Sequence, residues 1–124
     1  MPSKYKLIEI QTIECARLDG ILCSMDVEMD FISSDTQGSD FDVINGMGTY
    51  INDLVGLHVE LYLQPFYKGA VLFEEADKFF KNNGFYLAKR LRKNPVMFDN
   101  FVYLRKDTDK KEKLKFVKKI FEVE

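Results

Sequence analysis

One stretch constrains the fold of this chain more than any other: Met29-Asp-Phe-Ile-Ser-Ser-Asp-Thr-Gln-Gly38, running straight into Ser39-Asp-Phe-Asp-Val-Ile44. Phe31 and Ile32 give a short apolar strand signal that ends on an acidic residue and a turn glycine. A helix start follows, with Ser39 placed to cap it and Asp40 and Asp42 in its first turn complementing the helix dipole. Strand, polar turn and helix form the repeating step of open α/β sheets, in which ligands gather at the carboxyl ends of the strands. The residues alone therefore give an α/β domain with a candidate site at Asp35.

The remaining chain supplies partners for that step. Tyr5 to Ala16 reads as a strand, because Leu7, Ile8, Ile10 and Ile13 mix with Glu9, Gln11 and Glu14 in partial alternation. Arg17 to Cys23 reads as a turn and one or two helical turns, with Asp19 as cap and Leu18, Ile21 and Leu22 inward. The helix from Asp40 to Met47 is broken by Gly46 and Gly48, and Thr49 to Asp53 returns the chain. Val55 to Gln64 is the clearest strand, with Val55, Leu57, Val59, Leu61 and Leu63 on one face and His58, Glu60, Tyr62 and Gln64 on the other.

A helix over Leu72 to Asn83 follows from Leu72, Phe73, Ala76, Phe79 and Phe80 at helical spacing, acids early, lysines late and Gly84 as the stop. Phe85 to Leu91 and Asn100 to Arg105 read as strands around the basic loop Arg92 to Met97. A last helix is expected with Asp109 as cap, Glu112 completing a capping box, and Leu114, Phe116, Val117, Ile120 and Phe121 as its buried stripe. The order β-α-β-α-β-α-β-β-α implies a mostly parallel sheet with an antiparallel end.

A length of 124 residues makes residues 1–124 a single domain with room for a core. Charge is divided along the chain. Asp19 to Tyr67 holds nine acidic residues and no Lys or Arg, whereas Lys78 to Lys106 holds eight bases against Asp99 alone. Two readings fit: solvated faces of opposite sign, or an acidic half flanking a site for a polar or cationic ligand. Cys15 and Cys23 make no metal pattern and read as reduced thiols of a cytoplasmic protein. No apolar run is long enough to span a bilayer, so no membrane partner is expected. The basic helix Lys110 to Lys119 reads as a solvated amphipathic helix and not as a nucleic-acid surface, because its polar face lacks aromatic interleaving. Asp35, Asp40 and Asp42 match no calcium loop, and Asp40 and Asp42 point roughly 200° apart on a helix, so no metal is expected.

Three stretches, in this order, resemble the carboxyl-terminal half of FkbM-family methyltransferases. They are Asp30-Phe-Ile-Ser-Ser-Asp-Thr-Gln-Gly38, Val59-Glu-Leu-Tyr-Leu-Gln-Pro-Phe-Tyr67, and Leu72-Phe-Glu-Glu-Ala-Asp-Lys-Phe-Phe-Lys-Asn-Asn-Gly-Phe85. Asn100-Phe-Val-Tyr-Leu104 is similar to the late strand that closes the family's sheet, and Arg17-Leu-Asp-Gly-Ile-Leu22 to a segment before the organising strand. The resemblance covers about residues 12 to 105. It implies a partial Rossmann-like methyltransferase sheet, about strands 4 to 7 plus the N-terminal strand. The implied cofactor is S-adenosylmethionine, and the implied activity is O-methylation of a small-molecule or sugar hydroxyl.

The resemblance also assigns residues. Asp35 would be the base or orienting carboxylate, with Gln37 and Gly38 shaping the cofactor-side turn and Glu60 in the cleft. Phe66 and Tyr67 would line the acceptor pocket. Each has an ordinary structural alternative: a turn cap for Asp35, a backbone need for Gly38, an exposed strand face for Glu60, and packing for the two aromatics. His58, the sole histidine, comes early in its strand and reads as structural. Two departures stand out. Gln37 replaces the family's usual Glu, and the glycine-rich turn that holds the cofactor's amino-acid moiety has no counterpart. Gly46-Met-Gly48 has Ile51 where a third glycine would fall. The chain thus reads as an acceptor-side half. A non-catalytic module with the same fold is an alternative reading. Another is a subunit whose sheet is completed by a partner chain or by a copy of itself.

Overall fold

The computed structural model describes residues 6–65, 68–91 and 97–124. Helix α1 spans Leu18–Met25, strand β1 Phe31–Ser33, helix α2 Asp40–Asn45, and a 3-10 helix Gly48–Asp53. Strand β2 spans Gly56–Tyr62, helix α3 Phe73–Asn82, strand β3 Phe85–Arg90, strand β4 Phe98–Arg105, and helix α4 Lys111–Ile120. The fold is α/β, built on one four-stranded mixed sheet in the order β1-β2-β4-β3.

The sheet is not mostly parallel. Only β1 and β2 run parallel; β4 is antiparallel to both β2 and β3. The connection after β3 is too short for a crossover, so β3 and β4 form an antiparallel pair. β4 is apolar on both faces, with Phe101 to Leu104 fully buried, and it takes the interior position between β2 and β3. A β-bulge between Leu87 and Lys89 adjusts the β3–β4 register.

The expected N-terminal strand does not form. Residues 6–17 take no strand pairing, and Leu7, Ile8, Ile10 and Ile13 are 79%, 93%, 82% and 74% exposed. Tyr5, the first residue assigned to it, lies outside the described residues. Alternation gives a strand its faces but not its partner, and this segment pairs with neither edge of the sheet. β1 therefore remains an edge strand among the described residues.

Two cores flank the sheet. On one face, Leu22 of α1, Ile44 of α2, Ile51, and Ala76 and Phe80 of α3 pack against Leu57, Val59, Leu61, Phe101 and Tyr103. On the other, Val117 of α4 covers Val55, Val102 and Leu104, with Phe31 and Phe121 alongside. β2 is thus covered on both faces. Apolar residues at i, i+3 and i+7 set the inner face of α3, and Asp77 at its border pairs with Lys81 one turn on at 2.7 Å.

Three expected caps differ in detail. Ser39 occupies the N-cap of α2, but its side chain makes no capping bond. Arg17 is the N-cap of α1, and Asp19 lies one residue inside, accepting the Gly20 N–H and the Arg17 guanidinium. α4 starts after Lys110, whose N–H donates to Thr108 Oγ1, so Asp109 is not its cap. Of the expected stripe on α4, Val117 is buried, whereas Phe116 and Ile120 are 65% and 58% exposed.

Arg105 joins the end of β4 to its surroundings. Its guanidinium donates to the carbonyls of Leu54, Ile51 and Asn83 and lies 4.3 Å from the Phe85 ring centroid. Burial pulls its pKa down, although it keeps its charge. Tyr103, buried beneath α3, donates its hydroxyl to Asp77 at 2.6 Å, and burial raises the pKa of that phenol.

Candidate functional site

Because β1 and β2 are parallel, their carboxyl ends emerge on the same side of the sheet. The turn 34–38 is built there. The Ser34 N–H donates to the His58 carbonyl, carrying the pairing one residue past β1. Asp35 follows and is exposed, with Gln37 Nε2 donating to its Oδ1 at 3.1 Å. Gln37 has φ 56°, in the left-handed region, and Gly38 has φ 112°. A glycine is needed at the second position, since no L side chain is at ease there.

The residue that organises this turn is Asp40. It is 2% exposed, and its carboxylate accepts four hydrogen bonds. Ser34 Oγ, the Thr36 N–H and Thr36 Oγ1 donate to Oδ1 at 3.0, 2.7 and 2.6 Å. The Glu60 N–H donates to Oδ2 at 2.8 Å. A buried carboxylate with this many donors is matched by its surroundings. Sequence reasoning placed Asp40 at the helix start but took it for a solvated partner of the dipole. The signal available was the pair of hydroxyls, Ser34 and Thr36, six and four residues upstream, able to fold back onto it.

The predicted residues divide into two groups. Asp35, Gln37 and Gly38 share the turn at the end of β1, while Glu60 is half-buried in β2, opposite Asn100, with its backbone fastened to the same Asp40. Phe66 and Tyr67 lie outside the described residues. His58 is half-buried; its Nδ1 is 2.8 Å from Ser33 Oγ, its ring sits 5.9 Å from Phe121, and its buried Nε2 has no hydrogen-bond partner. It packs under α4, on a different face of the sheet from Asp40.

An open cleft of about 580 Å³ adjoins the turn between α1 and α2, lined by Arg17, Leu18, Ile21, Ser39, Asp42 and Gly46 among others. Among the described residues, none of the predicted site residues lines it. Among the described residues no three His, Cys, Asp or Glu side chains converge as a metal site would require. Cys15 and Cys23 are free and exposed, and no described helix is long and apolar enough to cross a membrane.

The one close glycine pair serves packing: Gly48 has φ 56°, and a Cβ there would fall 2.8 Å from the Asp19 carboxylate. Its space is taken by the chain's own α1, not left for a ligand to approach.

Comparison with known proteins gives one family. No curated protein and no solved structure matches the chain. Residues 2–87, by contrast, match the description "Methyltransferase FkbM domain". That span takes in β1, the Asp40-centred turn, β2 and α3 and ends inside β3, before β4. Covering more than half of the sequence, with the strand–turn–helix step at its middle, it carries the conclusion that this chain belongs to the FkbM methyltransferase domain family.

Proposed function

We propose that the chain is the acceptor-side half of an S-adenosylmethionine-dependent O-methyltransferase, acting on a small-molecule or sugar hydroxyl. In this reading the four strands correspond to strands 4 to 7 of the family's sheet. The observation that carries it is the family match over residues 2–87, which centres on an exposed carboxylate at the end of a parallel strand. S-adenosylmethionine would supply the methyl group, held by the family's glycine-rich half docked along the open edge of β1.

The role of this chain's own residues follows from their placement. Asp35, exposed at the end of its strand, accepts the proton of the acceptor hydroxyl as that oxygen attacks. Gln37 holds one Asp35 oxygen, leaving the other for the hydroxyl. Asp40 fixes the turn relative to Glu60, so that the two carboxylates keep a constant separation. Phe66 and Tyr67 would contact the acceptor, the role that the family resemblance gives them.

The test is to co-purify the chain with the glycine-rich half of an FkbM-domain methyltransferase and follow labelled methyl transfer to a panel of sugar and small-molecule alcohols. Transfer that falls about 10²- to 10⁴-fold in Asp35→Ala, with unchanged folding, supports the reading. Transfer unaffected by Asp35→Ala removes Asp35 from the reaction.

A further inference from the structure

The open edge of the sheet and the unused N-terminal segment complement one another. Asp30 and Ser34 direct backbone groups toward β2, through the Val55 N–H to Asp30 C=O bond and the Ser34 N–H to His58 C=O bond. The alternation of a parallel ladder then turns the N–H and C=O groups of Phe31 and Ser33 outward. Beside that edge, between β1 and α4, runs an apolar groove of about 550 Å³ lined chiefly by Phe31, Val55, Phe116, Val117, Ile120 and Phe121. Phe116 and Ile120, the members of the α4 stripe that the chain's own core leaves uncovered, form its outer wall.

Residues 6–16 carry what the edge lacks. The segment is in no helix or strand, is rich in β-branched residues, and leaves four large aliphatic side chains in water. In an extended chain Ile8 and Ile10 project to one side, and Leu7 and Ile13 to the other. The segment enters α1, whose Asp19 N–H is bonded to the Gly46 carbonyl at the end of α2. α1 packs in the core on the face of the sheet opposite α4, and the four aliphatic side chains upstream of it stay exposed.

We propose that residues 7–13 of one copy add as a strand to the β1 edge of a second copy, with Ile8 and Ile10 seated in the groove between Phe31, Phe116 and Ile120. Every copy carries both donor and acceptor, and in the proposed dimer the exchange is reciprocal and two-fold symmetric. It covers an edge that would otherwise template uncontrolled pairing. The exchange stands whether or not the chain transfers methyl groups. It occupies the edge at which a glycine-rich half would dock, so the dimer and that complex exclude one another.

Sedimentation equilibrium tests this on the full chain. The expected mass is twice 14.5 kDa. Ile8→Lys with Ile10→Lys disables the donor. Ser33→Pro with Phe116→Glu blocks the acceptor, the proline removing an N–H that faces away from β2. Each double variant is expected to be monomeric, and mixing the two is expected to restore a heterodimer through the one intact interface. Hydrogen exchange on the unaltered chain provides a reading that no variant can confuse: amide protection over residues 7–13 and at Ser33 rises with concentration. A monomeric parent chain, a dimer that survives both double variants, or variants that fail to re-associate on mixing would each overturn the proposal. Concentration-independent exchange over residues 7–13 would do the same.

Discussion

Asp40 Oδ2 accepts the Glu60 backbone N–H at 2.8 Å, which ties the first turn of α2 to the middle of β2. The other oxygen of the same carboxylate gathers Ser34 and Thr36, so one buried side chain fixes the turn after β1, the start of α2 and the adjoining strand. A carboxylate is suited to this place because all of its partners are donors.

Replacing Asp40 removes an acceptor from four donors at once. Asp40→Asn keeps the shape but turns an NH2 group toward at least one donor, and Asp40→Ala leaves all four unmatched. Asp40→Asn is expected to cost about 2–3 kcal/mol and Asp40→Ala about 3–4 kcal/mol. Urea unfolding followed by circular dichroism measures both. A loss below about 1 kcal/mol would mean that water replaces the carboxylate and that Asp40 does not hold the turn.

Gly38 and Gln37 both have positive φ but differ in what they tolerate. At φ 112° any side chain is strained, so Gly38→Ala is expected to destabilise the protein by about 1–2 kcal/mol. Gln37→Glu bears on the site instead. It replaces the amide donor to Asp35 with a second carboxylate, so the turn loses a hydrogen bond and gains like-charge repulsion, and Gln37→Glu is expected to cost about 0.5–1 kcal/mol. Urea unfolding reads the loss, and an unchanged midpoint would show that the two side chains do not interact in solution.

Asp30 gives the fold a pH dependence of known sign. Hydrogen bonds from Lys110 and then Lys113 hold its pKa below the usual carboxylate range, at 2.7 and 2.6 Å. A group whose folded pKa is depressed contributes stability above its unfolded value, about 3.9, and loses it as pH falls through the folded value. The pair is one-third exposed, so its contribution is about 0.5–1 kcal/mol. Asp30→Asn is therefore expected to lower the melting temperature near neutral pH, with the difference closing below about pH 4. A difference that persists into acid would assign the effect to packing of α4 and not to charge.

Much of this structure was legible in the residues. The alternation of Leu57, Val59, Leu61 and Leu63 placed β2, although Val55, expected on the same face, packs in the opposite core under α4, because it precedes the strand that starts at Gly56. The apolar spacing of Phe73, Ala76 and Phe80 with Gly84 placed α3. These signals are local, and local periodicity survives folding. The position of β4 between β2 and β3 is a long-range choice, made by which strand is apolar on both faces, and no single segment reveals it. The segment 6–16 failed for the same reason: Ile8 and Ile10 have the pattern of a strand, but a strand also requires an edge to pair with. Phe116 and Ile120 lie on the expected apolar side of α4 yet point past the sheet, because β1 ends the sheet beneath them. In the candidate site, Asp35 and Gly38 fell where the strand–turn–helix pattern put them. Asp40 was misjudged because an acid at a helix start has the same sequence signature whether it faces water or closes over a turn.

The central claim, that this family member supplies half of a methyltransferase site, is tested most directly by calorimetric titration with S-adenosylhomocysteine. The chain is titrated alone and again after co-purification with the glycine-rich half of an FkbM-domain protein. The account predicts no binding by the chain alone up to millimolar ligand and micromolar binding by the pair. Micromolar binding by the chain alone would show that its own residues form the cofactor cradle. Absence of binding in both arms would remove the methyltransferase site altogether.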